Sequence, residues 1–158
     1  MEHNLSAYNF TRIPGKFTSW KSLSGIEKKL FFRALGYAIL IKPMVSFLPM
    51  RWYARWLGKV NRQTPERANC RSLDNTLRQV SKAIKRSGRY LPWKNKCMVE
   101  AIIAQKMLKT LGHDTTIYFG VAKDDTKKLK AHAWLRCGNT IVTGKKGMNK
   151  FTVVSCFS

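Results

Sequence analysis

The sequence predicts an α+β fold in which helices come first and an antiparallel sheet follows. Helix signals, namely capping residues and apolar side chains three or four positions apart, run from Ser24 to Gly112. Beyond Gly112 the chain consists of short segments rich in β-branched and aromatic residues, separated by turn residues. A length of 158 residues, 44% of them apolar, is typical of a single globular domain.

The first part of the chain is predicted to hold an irregular arm and a helical hairpin. Residues 1–22 show no clear period and include a Pro-Gly pair, so we expect an irregular N-terminal arm. Ser24 and Glu27 form a capping-box pattern, which predicts a helix running toward Pro43. A second apolar segment completes a hairpin subdomain over residues 23–66, and its apolar residues are Phe47, Leu48, Trp52, Trp56 and Leu57.

This apolar hairpin allows two interpretations. Arg33, Lys42, Pro43 and Pro49 interrupt it, so no uninterrupted apolar run reaches the length of a membrane span, and we expect no transmembrane helix. The simpler interpretation is a helical subdomain packed on the core. The alternative is an amphipathic pair that makes contact with an anionic membrane surface or docks on a membrane complex.

The remaining residues, 67–158, are predicted to form the core, helices first. A polar stretch at 60–70 resembles a linker. Four apolar residues then recur at helical spacing, Leu73, Leu77, Val80 and Ile84, and Gly88 supplies a C-terminal cap. Pro92 favours extended chain before a further helix that begins near Cys97 and ends at Gly112.

Four strands are predicted after that helix. Their sequences are DTTIYFGVA, KAHAWLRC, NTIVTG and KFTVVSCF. The connections are short and rich in Gly, Asn, Asp and Lys, which predicts an antiparallel meander.

The charge is unusual, because 30 Lys and Arg face only 8 Asp and Glu and give a formal net charge of +22. Such a surface favours an anionic partner. Nucleic acid is not the partner we expect, since the chain has no zinc-finger spacing, RNA-recognition signature or basic leucine zipper. No secretory signal precedes the domain, so we expect a cytoplasmic protein whose four cysteines are free thiols.

Cys97 and His132 are the residues that together indicate chemistry. Cys97 falls in the first turn of its predicted helix after Lys94 and Lys96, and both features lower the pKa of a thiol. His132 lies in the middle of the second predicted strand, between two small alanines, where it could act as the base. The pair therefore predicts a cysteine nucleophile and its histidine.

Other interpretations of these two residues remain open. Taken singly, Cys97 is most simply a small buried helix residue and His132 a hydrogen-bonded core histidine. A zinc site made from His132, Cys137 and Cys97 would lack a short ligand spacing and a fourth ligand, so we predict neither a metal nor a cofactor.

The residues around this pair carry a family likeness. The run from Pro92 to Gly112 reads P-W-x-x-x-C-M-x-x-A-x-x-x-Q-x-M-L-x-x-x-G, and it is followed by G-V at Gly120 and A-H-A-W at 131–134. These motifs resemble the transglutaminase-like leader peptidases of lasso-peptide biosynthesis. The likeness covers about half the chain, from Tyr90 onward, and the apolar hairpin resembles the segment that precedes the protease core in these proteins.

The resemblance implies a papain/transglutaminase-like cysteine protease core that removes the leader from a ribosomally made precursor peptide. A separate ATP-dependent macrolactam cyclase would then close the ring. The chain resembles the split form, which lacks the leader-recognition domain, so the resemblance also implies a small separate leader-binding protein as partner. Cys97 takes the nucleophile position and His132 the base position.

One departure concerns the third catalytic residue. The family usually has an Asp about a dozen positions after the histidine, whereas this chain has Ile-Val-Thr-Gly at residues 141–144. The imidazole must then be oriented by Thr143, by Asn139, by a backbone carbonyl, or by Asp124 or Asp125. For the oxyanion we expect the Cys97 backbone N–H and either Trp93 or Asn95.

Two other functions stay open at this stage. A transglutaminase-like enzyme could pass the same thioester to an amine instead of water. A non-catalytic homologue could instead be a basic protein that binds nucleic acid or an anionic surface through its charge.

Overall fold

A computed structural model describes residues 23–66, 71–93, 96–123 and 127–158. The predicted arm at 1–22 lies outside the described residues. Within the described ranges, four helices precede four strands, so the predicted α+β fold class is confirmed. The elements are α1 Gly25–Phe47, α2 Met50–Leu57, α3 Arg71–Ser87, α4 Cys97–Lys109, β1 Thr116–Lys123, β2 Leu129–Cys137, β3 Thr140–Thr143 and β4 Thr152–Phe157.

Helix α1 begins as predicted but extends further. The Ser24 hydroxyl accepts a hydrogen bond from the Glu27 N–H at 3.2 Å, and the Glu27 carboxylate accepts one from the Ser24 N–H at 3.1 Å. The helix then passes through Pro43 and ends at Phe47. At 23 residues it is long and apolar enough to cross a membrane, although we expected its interruptions to prevent this.

The two N-terminal helices do not form a simple hairpin, because α1 packs mainly against α3 and α4. Its buried residues Leu30, Ala34, Ala38 and Ile41 belong to the same cluster as those of α3, α4 and the sheet. α1 is therefore part of the main core.

Helix α3 follows its predicted apolar stripe. Leu77, Val80 and Ile84 are fully buried, and Leu73 packs against the same cluster. The Gly88 N–H donates to the Ile84 carbonyl at 3.0 Å, just after the helix ends. The predicted period is confirmed, and the helix ends just before Gly88, but Gly88 keeps a negative φ and is not a left-handed cap.

The four strands are antiparallel in the order β3-β2-β1-β4. The predicted meander is thus right for the first three strands and wrong for β4, which pairs with β1 instead of β3. The connection from β3 to β4 includes a short 3₁₀-helix, Met148–Lys150, and Met148 and Phe151 pack on one face of the sheet. Because this connection crosses that face, β4 reaches the opposite edge.

The two faces of the sheet have different coverings. Side chains of successive strand residues alternate between faces. Ala133 and Leu135 of β2 join the main core with the helices, whereas Trp134 packs with Tyr118 and Cys156 in a smaller cluster. The candidate histidine lies two positions before Trp134, on the face of the smaller cluster.

Candidate active site

Cys97 is the first residue of α4, where the sequence predicted a helix to begin. The preceding Lys96 is extended and its side chain makes no capping hydrogen bond to the first backbone N–H groups of the helix. These groups carry the positive end of the helix dipole, which stabilises a thiolate. The thiol is half-buried and packs against the main core. Lys94 lies outside the described residues.

His132 is half-buried on β2 between two aromatic rings. Its ring centroid lies 5.0 Å from that of Phe151 and 5.9 Å from that of Trp134. Its Nε2 lies 2.8 Å from the Gly144 carbonyl oxygen. A carbonyl can only accept, so Nε2 carries the proton and Nδ1 of the neutral ring is left as the basic nitrogen. The backbone carbonyl among the predicted orienting groups therefore makes this contact.

Gly144 occupies the place about a dozen positions after the histidine. Its φ of +73° lies in the left-handed region, and an added Cβ would meet the Ala133 carbonyl oxygen and, at 2.7 Å, the Cβ of Trp134. The backbone approaches β2 so closely that a carboxylate side chain has no room here. The carbonyl of Gly144 takes the orienting place instead.

Of the other predicted orienting groups, Thr143 and Asn139 do not bind the imidazole. Thr143 pairs directly with Leu135 and so shares its face, which is opposite to that of His132. Its hydroxyl is buried and has no hydrogen-bond partner among the described residues. Asn139 lies beyond the far end of β2, in the turn to β3. Asp124 and Asp125 lie outside the described residues.

Cys97 and His132 lie at the same end of the helix and sheet layers. A short turn returns the chain from α4 into β1, and β2 runs antiparallel to β1, so α4 and β2 both begin at that end. Among the residues that the structure describes, no hydrogen bond joins the Cys97 thiol to the imidazole. β3 pairs with β2 only from Leu135 onward, and beside His132 the Gly144 backbone lies against β2 instead.

Of the two predicted oxyanion groups, only Trp93 is described. Its indole Nε1 is buried, and no acceptor for it occurs within the described ranges. The reason to consider it as an oxyanion donor is its sequence position, four residues before the nucleophile, together with its free N–H. Asn95 lies outside the described residues.

The other two thiols among the described residues are poor candidates for the nucleophile, and Cys70 lies outside those residues. Cys137 is buried, and burial, followed by the charge of Asp114, raises the pKa of its thiol. Cys156 is also buried, and its thiol donates to the Arg62 carbonyl oxygen at 3.7 Å. Cys137 is an odd number of positions from His132 on the same strand, so their side chains lie on opposite faces and do not share a metal site.

Two residues of the site escaped sequence reasoning. Gly144 fell in the segment expected to orient the histidine, but its contact depends on a backbone carbonyl, and side-chain patterns do not report this. Phe151 reaches the imidazole only because the connection to β4 crosses the sheet. Its sequence neighbourhood carries no corresponding signal.

Comparison with known proteins gives one family. A family model described as the transglutaminase-like superfamily matches residues 44–156, which is more than two thirds of the chain. The match runs from the end of α1 into β4 and includes both Cys97 and His132. Searches of curated proteins and of solved structures gave no match.

Proposed function

The chain belongs to the transglutaminase-like superfamily, and from that premise we propose that it is a cysteine peptidase that removes the leader from a lasso-peptide precursor. One observation carries the proposal. A cysteine at a helix start lies at the same end of the fold as a histidine whose Nε2–H is held by a carbonyl. The superfamily's enzymes are typically cysteine hydrolases or transferases. Within that range, we propose peptidase activity and a lasso-peptide precursor as the substrate.

The reaction begins when His132 Nδ1 takes the thiol proton and Cys97 Sγ attacks the scissile carbonyl carbon. The carbonyl oxygen becomes an oxyanion, which the Cys97 backbone N–H and the Trp93 indole N–H stabilise. The carbon–nitrogen bond then breaks, the amine leaves with the proton from His132, and a thioester remains. Water, deprotonated by Nδ1, hydrolyses the thioester and frees the thiol.

In this proposal the nucleophile and the base come from opposite sides of β2. His132 lies on the sheet face opposite the main core, and Cys97 packs against that core. Past the end of β3, no strand of the described residues pairs with β2 on the Gly144 side. The proposal therefore requires the Cys97 thiol to reach Nδ1 past β2 when substrate binds, a contact that the structure without substrate does not contain.

The proposed partners follow from the resemblance to the split leader peptidases. A small leader-binding protein presents the precursor, and an ATP-dependent cyclase closes the ring after cleavage. The proposed compartment is the cytoplasm, where the precursor is made.

Incubation of a precursor with this protein and the leader-binding partner tests the proposal, with products identified by mass spectrometry. Wild type and Cys137→Ala, which removes a buried thiol outside the site, are expected to cleave the precursor. Cys97→Ala and His132→Ala are expected to leave it intact while remaining folded. The peptidase proposal fails if wild type and Cys97→Ala give the same uncleaved precursor although the partner binds the leader.

The same products distinguish an acyl transferase from a hydrolase, which the superfamily assignment alone does not separate. Hydrolysis adds one water across the cleaved bond, whereas transfer to an amine adds the mass of that amine to the acyl fragment. An amine adduct that requires Cys97 would replace the peptidase with a transferase.

A further inference from the structure

Large exposed apolar side chains lie along α1 and on α2, the next helix. Phe47 is 84% exposed, Leu40 71% and Phe32 59% on α1, and Trp52 is 68% and Trp56 45% exposed on α2. Phe32, Leu40 and Phe47 lie seven or eight positions apart, on one side of α1. We call these five residues the outer apolar face. Soluble monomers seldom expose so many large apolar side chains together without a binding role.

The opposite side of α1 explains why the helix does not cross a bilayer in this fold. Leu30, Ala34, Ala38 and Ile41 are buried in the core against α3 and α4. Crossing a membrane would require α1 to leave these contacts and expose the core. Only 28% of its most apolar window is buried, so the outer side stays available while the inner side holds the fold together.

A cationic groove lies beside this face, where α1, α2 and α4 come together. Its volume is about 450 Å³, and it is lined by Tyr37, Arg55, Trp56, Lys106, Lys109 and Thr110. Three of these residues are cations and none is acidic. The Lys106 ammonium lies 3.6 Å from the centroid of the Trp56 ring. The groove therefore combines aromatic walls with positive charge, which suits a phosphate group beside an apolar surface.

The two lysines of the groove repel each other. The pKa of Lys106 falls from 10.5 to about 8, first because burial removes water from the ammonium and second because Lys109 lies nearby. A bound anion would oppose both effects, because its negative charge stabilises the ammonium.

The charges around the outer apolar face indicate which kind of partner binds there. Helices α1 and α2 contain six basic residues, Lys28, Lys29, Arg33, Lys42, Arg51 and Arg55, and a single acidic residue, Glu27. Two copies of this chain docked through the same face would bring like charges together. An anionic bilayer offers acyl chains to the apolar residues, an interfacial region that tryptophan favours and phosphates to the cations.

We propose that the outer apolar face and the cationic groove dock this protein on the surface of an anionic lipid bilayer, with a lipid phosphate in the groove. α1 lies along the bilayer surface, and the site at Cys97 and His132 remains in water. The proposal is independent of the reaction that the site performs.

Co-sedimentation of the full chain with lipid vesicles tests the proposal. Wild type is expected to bind vesicles of equal parts phosphatidylglycerol and phosphatidylcholine, and to bind pure phosphatidylcholine at least tenfold more weakly. Phe47→Asp, on the apolar face, and Lys109→Glu, at the groove, are each expected to weaken binding at least tenfold. Val154→Asp changes an exposed apolar residue on β4 and serves as the matched control, with wild-type binding expected. Circular dichroism checks that each variant is folded.

Three experimental results would overturn the proposal. Unchanged binding of folded Phe47→Asp would mean that net charge alone attracts the vesicles. Absence of vesicle binding, with inorganic phosphate stabilising wild type against heat but not Lys109→Glu, would assign the groove to a soluble anion. A wild-type dimer in size-exclusion chromatography that Phe47→Asp converts to a monomer would assign the face to a second copy.

Discussion

At the residue scale, the neutral group beside His132 distinguishes this site from one with a carboxylate. The Gly144 carbonyl fixes the proton on Nε2, as a carboxylate would, but it carries no full charge to stabilise the imidazolium. The group that orients the His132 ring is thus not a group that stabilises the positive charge of the imidazolium. The electrostatic support for a thiolate has to come from the start of α4 and from the net positive charge of the chain.

Substituting Gly144 tests how closely the backbone must approach the site. Gly144→Ala is expected to destabilise the fold by more than the roughly 1–3 kcal/mol of a left-handed non-glycine residue, because its Cβ also collides with Ala133 and Trp134. The shifted carbonyl should release His132 and lower activity. Urea denaturation and the cleavage assay measure the two effects.

Gly147 provides the matched control for that substitution. It has a similar φ of +79°, and a Cβ there meets nothing within 4 Å. Gly147→Ala therefore shares the backbone strain without the collision. Equal loss of stability in the two variants would contradict the close approach at Gly144.

Trp93→Phe tests the unpaired indole N–H as an oxyanion donor. The substitution keeps an aromatic ring and removes a buried donor that has no partner among the described residues, so little change in stability is expected. Turnover is expected to fall on the order of 100-fold, as for loss of one oxyanion donor. If Trp93 has only a structural role, the substitution will instead lower the urea midpoint and leave the turnover of the folded enzyme unchanged.

At the element scale, α4 holds α2 through the last carbonyls of that helix. The Gln105 side-chain amide donates to the Leu57 carbonyl at 2.8 Å, and the Lys106 ammonium donates to the Trp56 carbonyl at 2.5 Å. Helix ends leave such carbonyls without intrahelical partners. One helix therefore carries the nucleophile at its start and fastens α2 farther along.

The lowered pKa of Lys106 predicts how the stability of the protein changes with pH. Its folded-state value of about 8 lies below the ordinary 10.5, so the unfolded chain binds the proton more tightly, and stability from this group rises as the pH goes from about 8 to 10.5. Lys106→Met removes the group. The difference in unfolding free energy, wild type minus variant, is expected to increase across this range.

Urea denaturation of both proteins at a series of pH values measures that difference. Comparison with the variant cancels the titration of the other lysines, which both proteins share. A difference that stays level or decreases with rising pH would contradict the lowered pKa.

At the scale of the whole molecule, the net charge of +22 acts against compactness. Few acidic residues are available to balance this charge. One of them, Glu66, makes an ion pair with Arg136 at 3.8 Å. Arg136 also donates to the Tyr118 hydroxyl and to the Thr64 carbonyl. These bonds tie the segment between α2 and α3 to the sheet, so a basic residue contributes to the fold through hydrogen bonds as well as charge.

Self-repulsion predicts that salt stabilises the protein. Raising sodium chloride from about 0.05 to about 0.5 M shortens the screening length severalfold, so the thermal midpoint is expected to rise. Lys145→Glu combined with Lys146→Glu replaces two exposed cations and should reduce that rise. Differential scanning fluorimetry measures both, and a midpoint that falls with salt would contradict the prediction.

The sequence by itself determined the features that depend on nearby residues. The capping box at Ser24, the stripe of α3, the helix start at Cys97 and the positions of the four strands all follow from local hydrogen bonding and side-chain period. The motifs around Cys97 and His132 also indicated the superfamily.

Only the tertiary structure decided the features that depend on distant parts of the chain. Packing against α3 and α4 carries α1 through Pro43, although the local signal for a break is strong. β4 pairs with β1 because the preceding connection crosses the sheet, and Gly144 reaches His132 through a backbone atom. Strand partners and backbone carbonyls leave no pattern in the sequence, since neither requires a particular side chain at a fixed spacing.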